Sequence, residues 1–134
     1  MTATILYIED NADNMLLVRR ALEARGYRVV GAEDGLTGLS LVEREHPDVV
    51  LLDINLPDVD GYEVVRRLRA NQTSRSLPVV AITAKALPGD AERALAAGCD
   101  LYMSKPIAVR ELWATLERIL SAQPKAQAER FVAD

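Results

Sequence analysis

Short apolar or β-branched runs recur along the chain at strand length: Thr4 to Ile8, Arg28 to Ala32, Asp48 to Ile54, Pro78 to Thr83 and Asp100 to Ser104. Between and after them, apolar positions fall at helical spacing, as in Met15, Val18 and Leu22, in Gly61, Val64, Val65 and Leu68, and in Val109, Leu112, Trp113, Leu116 and Leu120. Strict alternation of the two periods predicts an α/β fold: a doubly wound parallel sheet of five strands, with right-handed crossovers and helices on both faces. The run Val49-Val50-Leu51-Leu52 is apolar without alternation, as a central strand covered on both sides requires. Gly26, Pro47 and Gly98 fall where the first, second and fourth helices must stop. The fourth helix, around Leu87 to Ala97, is the weakest; its expected inner face of Leu87, Ala91, Ala94 and Leu95 buries little area and leaves it easy to shift. The chain turns polar around Pro124, so residues 1–121 are expected to form the domain and 122–134 a frayed tail.

Composition narrows the function. The 134 residues suit one core, and 16 basic against 20 acidic residues, with no cationic run, argue against direct nucleic-acid binding. No apolar stretch reaches the roughly 18 residues that a membrane span needs, and the N-terminus carries no signal-like region. A lone Cys99 builds no internal disulfide and reads as a small buried hydrophobe, which suits a reducing cytoplasm.

In an open parallel sheet, ligands bind beyond the carboxyl ends of the strands where strand order reverses. The polar residues at those ends are Glu9 and Asp10 after the first strand, Asp53 at the third, Thr83 at the fourth, and Lys105 before Pro106 at the fifth. Carboxylates brought together raise one another's pKa unless a cation neutralises them, and an all-oxygen site favours Mg²⁺. Such a group has the parts of a phosphoryl-transfer site, in which catalysis is mostly positioning and charge stabilisation. Asp53 would be the nucleophile, needing no general base; Lys105 and the Thr83 hydroxyl would meet phosphoryl oxygens. Taken singly, each residue has a blander reading as a cap or surface group, and it is the convergence of the set that points to chemistry. Trp113 reads as packing and His46 as a surface loop residue with no transfer role.

Four stretches carry a resemblance: Ile8-Glu9-Asp10-Asn11; Leu52-Asp53-Ile54-Asn55-Leu56-Pro57 with Asp60-Gly61; Ile82-Thr83-Ala84; and Ser104-Lys105-Pro106. Over about the first 120 positions the chain resembles the receiver domains of two-component response regulators. The resemblance implies a flavodoxin-like strand order 2-1-3-4-5. It implies Asp53 as phosphoacceptor and Glu9, Asp10 and Asp53, with the main-chain carbonyl of Asn55, as Mg²⁺ ligands. Thr83 and Lys105 become the phosphate-sensing hydroxyl and ammonium, Tyr102 the aromatic whose rotamer follows Thr83, and Lys105-Pro106 a cis bond. Asn55 and Lys85 would border the path of an attacking water. Where many members have an Asp-Asp pair this chain has Glu9-Asp10, which shifts Glu9 to the outer metal shell. That pair, with Asn11, Asn14 and Gly98-Cys99-Asp100, is similar to hybrid-kinase receivers and single-domain regulators of the DivK type.

The implied role is a cytoplasmic phosphorylation switch, monomeric or weakly dimeric, and no enzyme beyond its own phosphorylation and dephosphorylation. It would take phosphate from a histidine kinase or a histidine phosphotransfer protein and signal to a downstream protein through the fourth helix, fifth strand and fifth helix. A phosphate sink or shuttle in a phosphorelay is the neighbouring alternative. Haloacid-dehalogenase-type phosphohydrolases also use an Asp nucleophile after a parallel strand, but place a second Asp two residues on, where this chain has Asn55.

Overall fold

In the computed structural model, strands and helices alternate as β1 (Thr4–Ile8), α1 (Ala12–Glu23), β2 (Arg28–Ala32), α2 (Gly35–Glu45), β3 (Val49–Asp53), α3 (Gly61–Ala70), β4 (Val79–Thr83), α4 (Asp90–Ala97), β5 (Leu101–Ser104) and α5 (Val109–Ala133). The structure describes residues 2–84 and 87–133, with side chains as far as 122. Lys85 and the side chains of the expected polar tail beyond 122 lie outside the described residues. All strand pairings are parallel, in the order β2-β1-β3-β4-β5. The chain leaves β1 for β2 on one side and returns to β3 on the other, so the switch point lies between the ends of β1 and β3.

Strand periodicity splits the core in two. Leu6, Ile8, Val50 and Leu52 face α2, α3 and α4, meeting Val42, Val64 and Ala94. Ile5, Tyr7, Val49 and Leu51 face α1 and α5, meeting Val18, Leu22, Leu112 and Leu116. All five residues of β3 and of β4 are buried, as the unbroken apolar runs require. Asn11, Asp34 and Asp60 cap α1, α2 and α3 by accepting from the amides of Asn14, Thr37 and Tyr62.

The inner face of α4 differs from expectation. Leu87 precedes the helix and is 62% exposed, Leu95 is 53% exposed, and Ala94 is the one α4 residue that is fully buried. The helix spans 8 residues and begins at Gly89, at φ 88°, without a side-chain cap. An all-alanine contact surface lets it lie close to the sheet but supplies little burial energy.

Gly61 fixes how closely α3 approaches β3. Its amide donates to the Ile54 carbonyl at 3.1 Å, and a Cβ there would lie 2.6 Å from the Ile54 Cα. Gly61→Ala is therefore expected to cost about 1–3 kcal/mol in urea unfolding and to displace the end of β3; a loss below about 0.5 kcal/mol would show the backbone gives way freely.

Candidate functional site

The carboxyl ends of the central strands gather the acids. Register sets Ile8 opposite Leu52 and Asp53 opposite Ile82, so the residues that follow β1 and end β3 meet side by side. Carboxylate oxygens of Glu9, Asp10 and Asp53 all lie within 4.8 Å of one another. Glu9 and Asp53 are buried while Asp10 is exposed. From β5, the Lys105 ammonium reaches Glu9 Oε1 at 2.6 Å and Asp53 Oδ2 at 3.2 Å. The Lys105-Pro106 bond is cis, as the resemblance implied.

Other donors complete the cluster. The amide of Asn55 donates to Asp53 Oδ1 at 2.9 Å. The Tyr7 hydroxyl donates to Glu9 Oε1 at 3.0 Å, and the Asn11 amide reaches Glu9 Oε2 at 3.4 Å. Thr83 is 5% exposed at the end of β4 and lines, with Asn55, Tyr62, Asp90 and Arg93, a cleft of about 450 Å³ beside the acids.

Three acids stand against one ammonium, which leaves a negative excess in the cluster. Burial, then the hydrogen bond and charge of Glu9, push the Asp53 carboxyl up to about 6, with the Asn55 amide and Lys105 only partly opposing them. Burial also raises Glu9, but hydrogen bonds shared with Asp53, Lys105 and Tyr7 outweigh it and hold Glu9 down at about 2. Lys105 loses some basicity to burial and gains more from Glu9 and Asp53, ending above the usual lysine range. Burial and then the Glu9 charge raise the Tyr7 phenol, which stays a neutral donor. A hard divalent cation fits this donor set: it offers clustered carboxylate oxygens and lacks positive charge.

Tyr102 lies on β5 with its hydroxyl buried and, among the described residues, without a hydrogen-bond partner. Its phenol is raised by burial and then by Asp90 and Tyr62. The ring therefore lies on the α4 side, where Arg93 stacks on Tyr62 at 5.0 Å. Cys99 is buried, its thiol pushed up to about 11 by burial. Trp113 packs as expected, its indole N–H donating to the Ala21 carbonyl at 2.9 Å. His46 ends α2 at φ 48°, far from the acids in the fold.

Two contributors escaped the sequence reading. Tyr7 shares a strand face with Glu9, a relation legible in the spacing of two but hidden among apolar neighbours. Asp58 accepts from the amides of Gly35 at 2.8 Å and Leu36 at 2.9 Å, tying the loop after Asp53 to the start of α2. Its sequence context reads only as a turn.

Residues 5–117 match the family model described as the response regulator receiver domain. The polar-differentiation response regulator DivK of Brucella ovis is 42% identical over 120 residues, which cover 90% of this chain and 98% of that one. Among solved structures, the receiver domain of the sensor histidine kinase PA1611 from Pseudomonas aeruginosa has a TM-score of 0.84 at 38% identity, over 90% of this chain and 99% of that one. That structure holds a magnesium ion in its active-site cleft. The chemotaxis protein CheY4 of Vibrio cholerae has a TM-score of 0.83 at 27% identity, over 89% of this chain and 99% of that one.

The Asp53 titration sets a testable stability profile. A carboxyl raised from 3.8 to about 6 contributes its full stability below pH 3.8 and loses it as pH rises through 6. In metal-free buffer, Asp53→Asn should exceed wild type by about 1–3 kcal/mol at pH 7.5, the gap closing towards pH 4. Urea unfolding at both pH values measures it; a gap that is absent at pH 7.5, or that persists unchanged at pH 4, contradicts the electrostatic account.

Proposed function

From the premise that this chain belongs to the response regulator receiver family and serves two-component signalling, we propose that Asp53 is its phosphoacceptor and that phosphate there resets the face formed by α4, β5 and α5. The observation that carries the reading is the Lys105 ammonium resting between Glu9 and Asp53 inside a carboxylate cluster. Glu9, Asp10 and Asp53, with the Asn55 carbonyl, would hold Mg²⁺, which when bound neutralises the acidic excess and charge on the phosphoryl group.

A carboxylate oxygen of Asp53 attacks phosphorus on a phosphohistidine of a kinase or phosphotransfer protein. The P–O bond forms as the P–N bond breaks, and the departing imidazole takes a proton from solvent. Asp53 needs no base once ionised, and its Oδ1 is oriented by the Asn55 amide. Lys105 exchanges carboxylate contacts for a phosphoryl oxygen, and the Thr83 hydroxyl takes another. We take residues 1–121 as the acting domain, working in the cytoplasm without further catalysis on other molecules. Among the described residues no helix is long and apolar enough to cross a membrane.

The signal leaves through Tyr102. A buried hydroxyl without a partner costs about 1–3 kcal/mol, so the inward ring is held only by its packing and two arrangements lie close in energy. Drawing Thr83 towards phosphate alters the wall of the cleft it shares with Asp90 and Arg93 of α4. The thinly packed α4 is the element free to respond.

Three outcomes test this reading. A small phosphodonor with Mg²⁺ should add one phosphate by intact mass, and equal labelling of Asp53→Asn would remove the assignment. Asp10→Ala should weaken Mg²⁺ more than Glu9→Ala, since Asp10 is exposed and free to bind directly whereas Glu9 is engaged by Lys105 and Tyr7; calorimetry ranks them, and the reverse order contradicts the assignment. With beryllofluoride, amide NMR shifts should extend through α4 and β5 in wild type, shrink in Thr83→Ala and shrink further in Lys105→Ala. Shifts confined to the acid cluster in all three would overturn the route.

A further inference from the structure

Tyr7 sits in the middle of β1 at 0% exposure, on the sheet face packed against α1 and α5. Residues 7 and 9 share that face, and the phenol reaches along it to donate to Glu9 Oε1 at 3.0 Å. The same oxygen receives Lys105 at 2.6 Å, while the Asn11 amide reaches Oε2 at 3.4 Å. Glu9 therefore depends on two donors at one oxygen. One of them, Lys105, also contacts Asp53 and must follow the phosphoryl group; the other is fixed in the core.

We propose that Tyr7 is a positioning residue for the acidic cluster: its buried hydroxyl holds the Glu9 carboxylate in place, beside Lys105 at rest and without it when Lys105 is drawn away. The inference rests on the reading of Asp53 and the metal site given above and adds a residue to it. The pairing is mutual. A buried tyrosine hydroxyl needs an acceptor, and the ring itself lies among apolar residues such as Ile5, Leu51 and Leu112. A buried carboxylate that lost its ammonium would otherwise keep, as a donor from a neutral group, one long amide contact among the described residues. Side-chain length matters as well: an aspartate at position 9 would withdraw the carboxylate by about 1.5 Å, the length of one carbon–carbon bond, beyond the reach of the phenol. Tyrosine at position 7 and glutamate at position 9 thus act as a matched pair.

Tyr7→Phe keeps the ring in its apolar setting and deletes only the donor. Calorimetric titration with Mg²⁺ should show affinity about tenfold weaker than wild type, the lower end of losses on removing a partner that orients a ligand. In the Glu9→Asp background, Tyr7→Phe should change Mg²⁺ affinity by less than about twofold, because the contact is already gone. A solely structural tyrosine would lower unfolding stability alike in both backgrounds and leave Mg²⁺ affinity unmoved. If wild type and Tyr7→Phe bind Mg²⁺ equally, or if Tyr7→Phe weakens it equally with Glu9 and with Asp at position 9, the positioning role is overturned while the site stands. A wild type that binds no Mg²⁺ overturns the reading of the site and this role together.

Discussion

The Lys105 ammonium, 2.6 Å from Glu9 and 3.2 Å from Asp53, is the contact on which the rest of the architecture converges. It joins the end of β5 to the ends of β1 and β3, drawing one edge of the sheet over its centre. Buried carboxylates are tolerated only where charge and hydrogen bonds replace their lost water. Here the replacement is deliberately incomplete: one ammonium, one phenol and a few amides serve three acids. Burial, then the hydrogen bond and charge of Glu9, raise the Asp53 carboxyl to about 6, and the acidic excess makes the crevice a receptor for positive charge.

Keeping those charges in place requires rigid surroundings, and the structure distributes rigidity unevenly. At the opposite end of the sheet, Arg69 donates to the carbonyls of Gly98, Ser74, Arg75 and Leu77 and pairs with Asp100 at 2.9 Å. Asp100 in turn accepts from the Val79 amide at 2.8 Å, so the starts of β4 and β5 and the end of α4 are clamped together. At the site end, α4 begins at an uncapped glycine and contacts the core through alanine. A helix clamped at its C-terminal end and loose at its N-terminal end can pivot without disturbing the sheet. The cleft lined by Thr83 and Arg93 lies at that N-terminal end.

The positions of the candidate site residues were legible because strand ends follow from the length of apolar runs. Glu9, Asp10, Asp53, Thr83 and Lys105 all stand where the periodicity placed them. Gly26 and Gly98, read as helix stops, do stand there at positive φ, where few other residue types fit. The inner face of α4 was not. Leu87 and Leu95 read as core because hydrophobicity was the only guide, yet both are exposed, and the alanines pack closest. Nor was Tyr7 distinguishable from an ordinary strand aromatic, as its function depends on where the side chain of Glu9 turns.

The sequence by itself determined the alternation of strands and helices, the parallel sheet and the set of polar groups at its carboxyl edge. These follow from local periodicity, chain connectivity and the fixed hand of crossovers, all of which are properties of neighbouring residues. Only the tertiary structure decided which acid is buried and which exposed, which carboxylate the ammonium approaches most closely, and on which side of β5 the Tyr102 ring lies. Those outcomes depend on desolvation and on distances of a few ångströms between residues more than 40 positions apart, as between Asp53 and Lys105 with their separation of 52. Electrostatic energies change steeply over such distances, and no local pattern in the chain encodes them.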